Sequence, residues 1–368
     1  MKTAGQPHVA IACGGTGGHF FPGVAVAREL VSRGARVTLW VSEKEIDQQA
    51  VATVPEFAHE KLPAVGFSLR HPLRFLLSLR QALKLVRKQY AADPPKAVLA
   101  MGGFTSAAPV WAAKLIGATT FLHESNAVPG RANRLLSRRV DGVFTGLKAA
   151  RARFSHPTVI LSGTPVRPIF RELDRNECCR RLGMNPDHPV VVVTGGSQGA
   201  RGLNRLVTGA LDSVQKVQWL HLCGAHDLDE VSASYQTKGV NATVQAFLED
   251  MPSALGAADL VVSRAGASSL AELAAVGCPA ILVPLPSAAD DHQRANANAA
   301  VEAGGALMLE QESTTPETLA QTLNTLLDEP DQRAAMTDAM RALDWPQAAG
   351  TIAEHLLEGC EEGRVDTG

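Results

Sequence analysis

The chain contains no uninterrupted apolar run of about 18 residues, so the sequence predicts no membrane-spanning helix. Residues 1–8 are polar, and the apolar run 9–13 that follows is too short for the core of a signal peptide. The six cysteines form no CxxC pair and show no metal-ligand spacing with histidine, which predicts reduced thiols and no metal site. Net charge is also nearly absent. The 35 basic and 37 acidic side chains give −2 over 368 residues, which argues against a dedicated nucleic-acid-binding protein.

Short apolar runs alternate with helical patterns through most of the chain. Residues 9–13 and 37–41 flank a helical pattern, and residues 190–194 and 217–222 repeat this plan in the second half. Such alternation is typical of βαβ units with parallel sheets. We therefore predict an α/β fold of two Rossmann-like domains, residues 1–165 and 166–368, with the final helices free to pack back on the N-terminal domain.

Four glycine-containing loops follow predicted strands: Gly14-Gly15-Thr16-Gly17-Gly18, Gly102-Gly103, Gly195-Gly196-Ser197-Gln198-Gly199 and Arg264-Ala265-Gly266-Ala267. Glycine lets the backbone approach an anion, and the N-terminus of the next helix offers free N–H groups. The first loop lacks the third glycine of GxGxxG, which disfavours an NAD-dependent oxidoreductase. Ligands of open α/β sheets bind outside the strand carboxyl ends. The loops therefore predict a phosphate-bearing ligand in a cleft across which the two parallel sheets face each other.

Taken in order, these loops and the segments between them resemble the MurG family of GT-B glycosyltransferases. The similar segments are residues 14–23, 101–106, 123–130, 163–167, 195–201, 263–272 and 291–296. The resemblance implies transfer of N-acetylglucosamine from UDP-GlcNAc to the 4-hydroxyl of the N-acetylmuramoyl sugar of undecaprenyl-linked lipid I, giving lipid II. It also implies inversion in one displacement, no cofactor, and a peripheral location on the cytoplasmic face of the cell membrane.

Two residues are candidates for the general base that such a displacement requires. His19 ends the first glycine loop near a helix N-terminus, whose positive dipole end favours a neutral imidazole. Its alternative role is a hydrogen bond to a phosphate or to the loop. Glu124, between His123 and Asn126, is the competing base, although a single glutamate after a strand is more often a structural hydrogen-bond acceptor.

The resemblance extends to the substrate-binding residues. Those expected to contact the donor are Thr16, Gly17, Gly18, Asn126, Arg167, Ser197, Gln198, Gly199, Arg264, Ala267, Glu272, His292, Gln293 and Asn296. Those expected at the acceptor diphosphate are Gly14, Gly15, Gly102 and Gly103. Asp227 and Asp229 form a DxD pair, a pattern used elsewhere as a metal clamp. We interpret Asp227 instead as a helix cap, because this pair arises readily by chance.

A basic stretch in the first half points to a different partner. Residues 67–90 carry six Lys or Arg and no acid, with Leu76, Leu79, Leu83, Val86 and Tyr90 on a predicted core-facing stripe. A solvated basic helix with a wide buried face is one interpretation. The lipid acceptor that the resemblance implies favours another, in which apolar residues left outside the stripe, among cations, dock on an anionic membrane surface. The predicted docking residues are Arg70, Leu73, Arg74, Phe75, Leu77 and Arg80.

The distribution of charge supports that interpretation. Residues 1–165 hold 21 basic and 9 acidic side chains, a net charge of +12, whereas residues 166–368 hold 14 and 28, a net charge of −14. An anionic surface partner is therefore expected for the N-terminal half alone. Two alternatives remain open at this point: a related GT-B transferase with another lipid or natural-product acceptor, and a non-catalytic protein that binds nucleotide sugars.

Overall fold

The computed structural model describes residues 6–14, 17–43, 51–63, 72–196 and 198–362. The chain divides into two compact units. The first contains the described residues up to Arg167 together with those from Trp345 onward, and the second is Pro168–Asp344. The predicted limit at 165/166 thus falls two residues before the chain leaves the first unit. The C-terminal segment returns to the first unit, an arrangement that the sequence had left open.

The first unit is built on a parallel sheet covered by helices. Its strands are β1 (His8–Ala12), β2 (Arg36–Ser42), β3 (Ala58–Leu62), β4 (Ala97–Ala100), β5 (Thr119–Glu124), β6 (Gly142–Thr145) and β7 (Val159–Leu161). Its helices are α1 (Gly17–Ser32), α2 (Pro72–Ala92), α3 (Ala107–Leu115), α4 (Arg131–Leu136) and α5 (Lys148–Arg151). The sheet has the order β3–β2–β1–β4–β5–β6–β7.

The second unit repeats this plan. Its strands are β8 (Val190–Thr194), β9 (Gln218–Leu222), β10 (Ala242–Gln245), β11 (Leu260–Ser263), β12 (Ala280–Leu282) and β13 (Ala306–Met308), in the order β10–β9–β8–β11–β12–β13. Its helices are α6 (Arg175–Arg181), α7 (Arg201–Ala210), α8 (Leu228–Thr237), α9 (Met251–Ala257), α10 (Ala267–Val276), α11 (His292–Glu302), α12 (Pro316–Asp328) and α13 (Pro330–Arg341). A last helix, α14 (Ala348–Glu362), belongs to the first unit.

The strand order explains where the glycine loops fall. In the first sheet the connections reverse direction between β1 and β4, and in the second between β8 and β11. The strands leading into the four glycine loops are these same four. Crevices at such reversal points are where open α/β sheets bind ligands. The topology therefore gathers the loops into one pair on each unit.

Continuous burial explains why these strands are apolar on both faces. In β1 all five residues are buried, and β8 is buried from Val190 to Val193, as expected for parallel strands covered by helices on both sides. Helix α14 completes the first core, because Ile352, Ala353 and Leu356 pack with residues of β1 and α1. Among the described residues, no helix is both long and apolar enough to cross a bilayer.

Candidate active site

His19 lies in the first turn of α1 and faces the loop that follows β4. A Cβ atom added to Gly102 would lie 3.0 Å from His19 Nε2, and one added to Gly103 would lie 3.7 Å from its Cε1. Both glycines have positive φ, +117° and +77°, a conformation that L side chains rarely adopt. The imidazole therefore lies directly over bare backbone. This brings together His19, Gly102 and Gly103, which the sequence had placed on two separate loops.

The loop after β1 is closely packed as well. A Cβ atom at Gly14 would lie 2.5 Å from the backbone nitrogen of Ser42, so only glycine fits. The Thr105 hydroxyl donates to the Gly14 carbonyl at 2.7 Å, and the Ser106 hydroxyl donates to the Gly102 carbonyl at 2.8 Å. The first bond ties the loops after β1 and β4 to each other, and the second lies within the loop after β4.

Glu124, at the end of β5, accepts four hydrogen bonds through its two carboxylate oxygens. Oε1 accepts from the backbone N–H and the side-chain amide of Asn126, both at 2.9 Å. Oε2 accepts from the Gly130 N–H at 2.9 Å and from Asn133 Nδ2 at 2.8 Å. Only 2% of Glu124 is exposed. The carboxylate is thus the centre of a clamp that shapes the loop between β5 and α4.

Asn133 connects this clamp to His19. Its Nδ2, which donates to Glu124, lies 3.0 Å from the Cβ position of Gly102, as His19 Nε2 also does. The two side chains therefore converge on the same glycine. His123 is buried beside them and donates from Nε2 to the Gly163 carbonyl at 3.0 Å. Burial lowers the pKa of His123, which favours its neutral form.

Arg167, at the end of the first unit, contacts the same helix as His19. Its guanidinium carbon lies 4.7 Å from the ring centroid of Phe21 in α1, a cation–π geometry. This contact places the charged group of Arg167 near the N-terminal end of α1.

In the second unit, the loop between β8 and α7 is held by the loop after β9. Gly196 and Gly199 have positive φ, +89° and +74°. A Cβ atom at Gly224 would lie 2.5 Å from the Gln198 carbonyl oxygen, and one at Gly199 would collide with the Cys223 carbonyl. Asn204 in α7 reinforces this contact by donating to the Cys223 carbonyl at 2.9 Å. The two loops are therefore in close contact just before α7 begins.

The loop after β11 is held from several sides. Arg264 donates to the carbonyls of Val283 and Pro284, at 2.9 and 3.2 Å, and to Gln311 Oε1 at 2.6 Å. Asn296, fully buried in α11, donates to the Ala265 carbonyl at 3.0 Å. Arg264 and Asn296 therefore shape the start of α10, whose first residue is Ala267. The terminal nitrogens of Arg264 that make these bonds are used within the unit.

The remaining predicted donor residues lie on α10 and α11. Glu272 is half-buried on α10, one turn beyond its start. His292 donates from Nδ1 to the Ala289 carbonyl at 2.8 Å, and Gln293 Oε1 accepts from the Leu285 N–H at 2.9 Å. The two residues before His292 both have φ near +54°, an uncommon backbone for aspartate. Such backbone strain tends to collect at functional loops.

Some predictions fall where the structure gives no description. Gly15, Thr16, Ser197 and Arg70 lie outside the described residues, and so do the side chains of Leu73 and Arg74. Gly17 and Gly18 both belong to the first turn of α1.

The interpretation of Asp227 as a helix cap is confirmed in position but not in its hydrogen bonding. Asp227 does stand at the N-cap of α8, but its carboxylate makes no capping bond. It accepts instead from Asn204 Nδ2 at 2.8 Å. The physical reason is that Asn204 is 2% exposed, and a buried amide takes an acceptor in preference to leaving a donor without one.

The basic helix also differs in part from its prediction. Its buried face is centred on Ala82 and Val86, so at 100° per residue Leu76 falls at the margin and is 50% exposed, not in the core. Leu77 and Leu85 are exposed as well, at 58% and 40%. Phe75 packs edge-on against Phe104 at 5.4 Å between ring centroids.

Four residues that lie beside the predicted site residues were not predicted from the sequence: Asn133, Asn204, Gln311 and Phe247. The first two are amides on otherwise apolar helix faces, a signal that is visible in sequence but not specific. Gln311 carries no sequence signal, because its partner Arg264 is 47 residues away. Phe247 is 57% exposed in the loop after β10, where Gly224 N–H donates to Ala246 beside it at 3.0 Å.

Comparison with known proteins agrees with this geometry. The N-terminal domain model of glycosyltransferase family 28 matches residues 9–145, and its C-terminal domain model matches residues 190–352. The chain belongs to glycosyltransferase family 28. The α/β fold with two parallel sheets and the family resemblance are both confirmed.

Individual relatives carry a more specific name. A protein of Xanthomonas euvesicatoria is 39% identical over 96% of this chain and 82% of its own length. One from Myxococcus xanthus is 40% identical over 95% and 92%. Both are named UDP-N-acetylglucosamine–N-acetylmuramyl-(pentapeptide) pyrophosphoryl-undecaprenol N-acetylglucosamine transferase. The crystal structure of Acinetobacter baumannii MurG superposes with a TM-score of 0.75 at 26% identity, covering 96% of this chain and 99% of that one.

Proposed function

We propose that this glycosyltransferase moves N-acetylglucosamine from UDP-GlcNAc to the 4-hydroxyl of the N-acetylmuramoyl sugar of undecaprenyl-linked lipid I. The relatives described above are named for this reaction. The observation that carries the proposal is the placement of His19 over Gly102 and Gly103, next to the Glu124 clamp. In this position His19 can act as a base beside two glycines that follow β4, where the strand order of the first sheet reverses.

In the proposed reaction, the bond between the sugar C1 and the β-phosphate oxygen breaks, and UDP leaves with the electron pair. The acceptor 4-hydroxyl forms the new bond to C1 from the opposite face, which inverts the configuration. His19 accepts the hydroxyl proton. A helix N-terminus favours the neutral form of an imidazole, which is the form that can accept a proton.

Glu124 acts in this scheme as a positioning residue. Its two carboxylate oxygens each accept two hydrogen bonds from N–H donors, which uses the lone pairs that a further proton would need. A carboxylate that took up the acceptor proton would lose part of that network. We therefore prefer His19 to Glu124 as the base.

The second unit is proposed to bind the donor. The N-cap residues of α7 and α10, Ala200 and Gly266, make no side-chain capping bond, and helix starts after glycine loops commonly bind phosphates through backbone N–H groups. Glu272 is placed on α10 where a carboxylate suits the ribose hydroxyls. The exposed ring of Phe247 suits stacking on the uracil base.

The test is transfer of labelled N-acetylglucosamine from UDP-GlcNAc to a soluble lipid I analogue. We expect transfer by the wild type, a loss of roughly 100-fold or more in kcat for His19→Ala, and little change for His59→Ala. His59 is an exposed histidine on β3 of the same unit and serves as the matched control. No transfer by the wild type would refute the reaction, and full activity in His19→Ala would refute the assigned base.

We also propose that α2 docks the enzyme on an anionic membrane, at the cytoplasmic face of the cell membrane. Leu76, Leu77 and Leu85 expose apolar surface on this helix, and Arg80 and Lys84 are exposed among them. Apolar side chains that enter the headgroup region, flanked by cations, are the usual means of interfacial binding. The net charge of +12 on residues 1–165 acts in the same direction.

Vesicle flotation tests the docking surface. Changing Leu76, Leu77 and Leu85 together to serine is expected to reduce binding to anionic vesicles several-fold. Phe75 is left unchanged because its ring packs against Phe104. Val31→Ser on α1, 48% exposed, is the control and is expected to bind normally. Unchanged binding of the triple variant would exclude α2 as the docking helix.

A further inference from the structure

Arg264 is a buried cation whose partners are all neutral. The residue is 7% exposed, and its guanidinium donates to two backbone carbonyls and to the side-chain carbonyl of Gln311. Across the part of the chain that the structure describes, it contacts no carboxylate. A buried charge without a counter-charge is costly in free energy. Its positive charge is therefore left for an anion from outside the protein.

The backbone places this charge beside the glycine loop of the second unit. Ser263, the last residue of β11, pairs with Thr194 at the end of β8, and the Arg264 N–H lies 3.4 Å from the Thr194 carbonyl. Thr194 leads directly into the Gly195–Gly199 loop. The backbone of Arg264 therefore lies next to the start of the proposed diphosphate-binding loop.

Gln311 lies between this guanidinium and the first turn of α7. Its carbonyl oxygen accepts from Arg264 at 2.6 Å. A Cβ atom at Gly202 in α7 would lie 2.8 Å from the amide carbon of Gln311, so the glycine is what allows the side chain to approach. The Gln311 side chain is therefore packed between the Arg264 guanidinium and the first turn of α7.

The acidic residue next to Gln311 in the sequence, Glu310, does not pair with Arg264. Glu310 pairs with Arg294 at 2.8 Å, on the neighbouring helix α11. A carboxylate at position 311 would bind Arg264 more strongly than an amide does, but it would also cancel the charge. The neutral amide of Gln311 holds the guanidinium of Arg264 without cancelling its charge.

We propose that Gln311 is a positioning residue that holds Arg264 through a neutral acceptor and so keeps its charge available to the diphosphate of the nucleotide donor. This inference rests on the proposed function, because the diphosphate is that of the UDP-sugar. It gives Arg264 a role through its electrostatic field even though the terminal nitrogens described above are used inside the unit.

Isothermal titration calorimetry with UDP and with uridine separates the charge effect from a structural one. Gln311→Glu is expected to weaken UDP binding about tenfold, the effect of one added negative charge at partly screened range, and to leave uridine binding within about twofold. The thermal unfolding temperature is not expected to fall, because the new carboxylate pairs with Arg264. Gln321→Glu on α12 adds the same charge at an exposed position of the same unit and is expected to change neither affinity.

Gln311→Met provides a second variant, which removes the acceptor without adding charge. We expect it to lower the ratio of UDP to uridine affinity less than Gln311→Glu does. An unchanged ratio in both variants would overturn the inference, as would an equal loss for UDP and uridine. Wild-type binding of UDP is measured in the same series. Its absence would refute the donor assignment itself, which distinguishes failure of the proposed function from failure of the role of Gln311.

Discussion

Substitution of Glu124 by glutamine tests whether this residue organises the active site or takes a proton. The carboxylate accepts two hydrogen bonds on each oxygen, all between 2.8 and 2.9 Å. Glutamine keeps one acceptor oxygen and replaces the other with an NH2 group. Either the two donors of Asn126 or those of Gly130 and Asn133 then face another donor.

The expected loss of stability follows from the number of donors left without an acceptor. A buried donor that loses its partner costs about 1–3 kcal/mol, so two such donors cost roughly 2–6 kcal/mol of unfolding free energy. Because Glu124 is 2% exposed, water replaces few of these bonds. The loop between β5 and α4 should shift, and kcat for transfer should fall with it.

The assay combines urea unfolding with transfer kinetics on the same preparations. Asp141→Asn is the control, since one carboxylate oxygen of Asp141 accepts from the backbone and side-chain donors of Thr120 at the opposite end of β5, while the other pairs with Lys114. The control is expected to lose stability while keeping its transfer rate. If Glu124→Gln kept full stability and lost only kcat, the clamp would be refuted and Glu124 would be favoured as the base.

Two further predictions concern Gly102, in the loop after β4, and His221, buried on β9. Gly102→Ala is expected to lower kcat at least tenfold, because its Cβ would push against His19 Nε2 at 3.0 Å; transfer kinetics measure this. Gly34→Ala has a similar positive φ but open space around its Cβ, so it should cost about 1 kcal/mol of stability and no activity. Normal activity of Gly102→Ala would contradict the contact. Burial lowers the pKa of His221 to about 4, so the unfolded state takes up a proton at higher pH than the folded state does. The unfolding free energy should therefore fall by about 2–3 kcal/mol between pH 7 and pH 4.5, and urea titrations of His221→Gln should show a weaker dependence on pH. An equally steep fall in that variant would assign the effect to other groups.

The fold was predictable from the sequence because burial imposes a simple pattern. Strands covered on both faces must be apolar throughout, and Val190–Thr194 was located from that run alone. Glycines after such strands marked the loops, since positive φ and close backbone contact exclude other residues there. The helix α14 was also anticipated, although its membership of the first unit was only one of the options.

The basic helix shows where this reasoning fails. A stripe read at helical spacing assigned Leu76 to the core, but the face that packs is set by the neighbouring sheet and helix, not by the helix alone. A shift of the buried face by less than a quarter turn was enough to expose Leu76. Leu85 was missed for the same reason, since an amphipathic pattern with many leucines fits more than one orientation.

The sequence by itself determined the classes of element, the glycine loops at strand ends and the separation of charge between the halves, because these depend on residues close in the chain. Only the tertiary structure decided which side chains meet. His19 and Gly102 are 83 residues apart in sequence, and the bond between Arg264 and Gln311 spans 47 residues. No local pattern encodes such pairs. They form because parallel strands, each returning through a helix, deliver their carboxyl ends to one edge of a sheet.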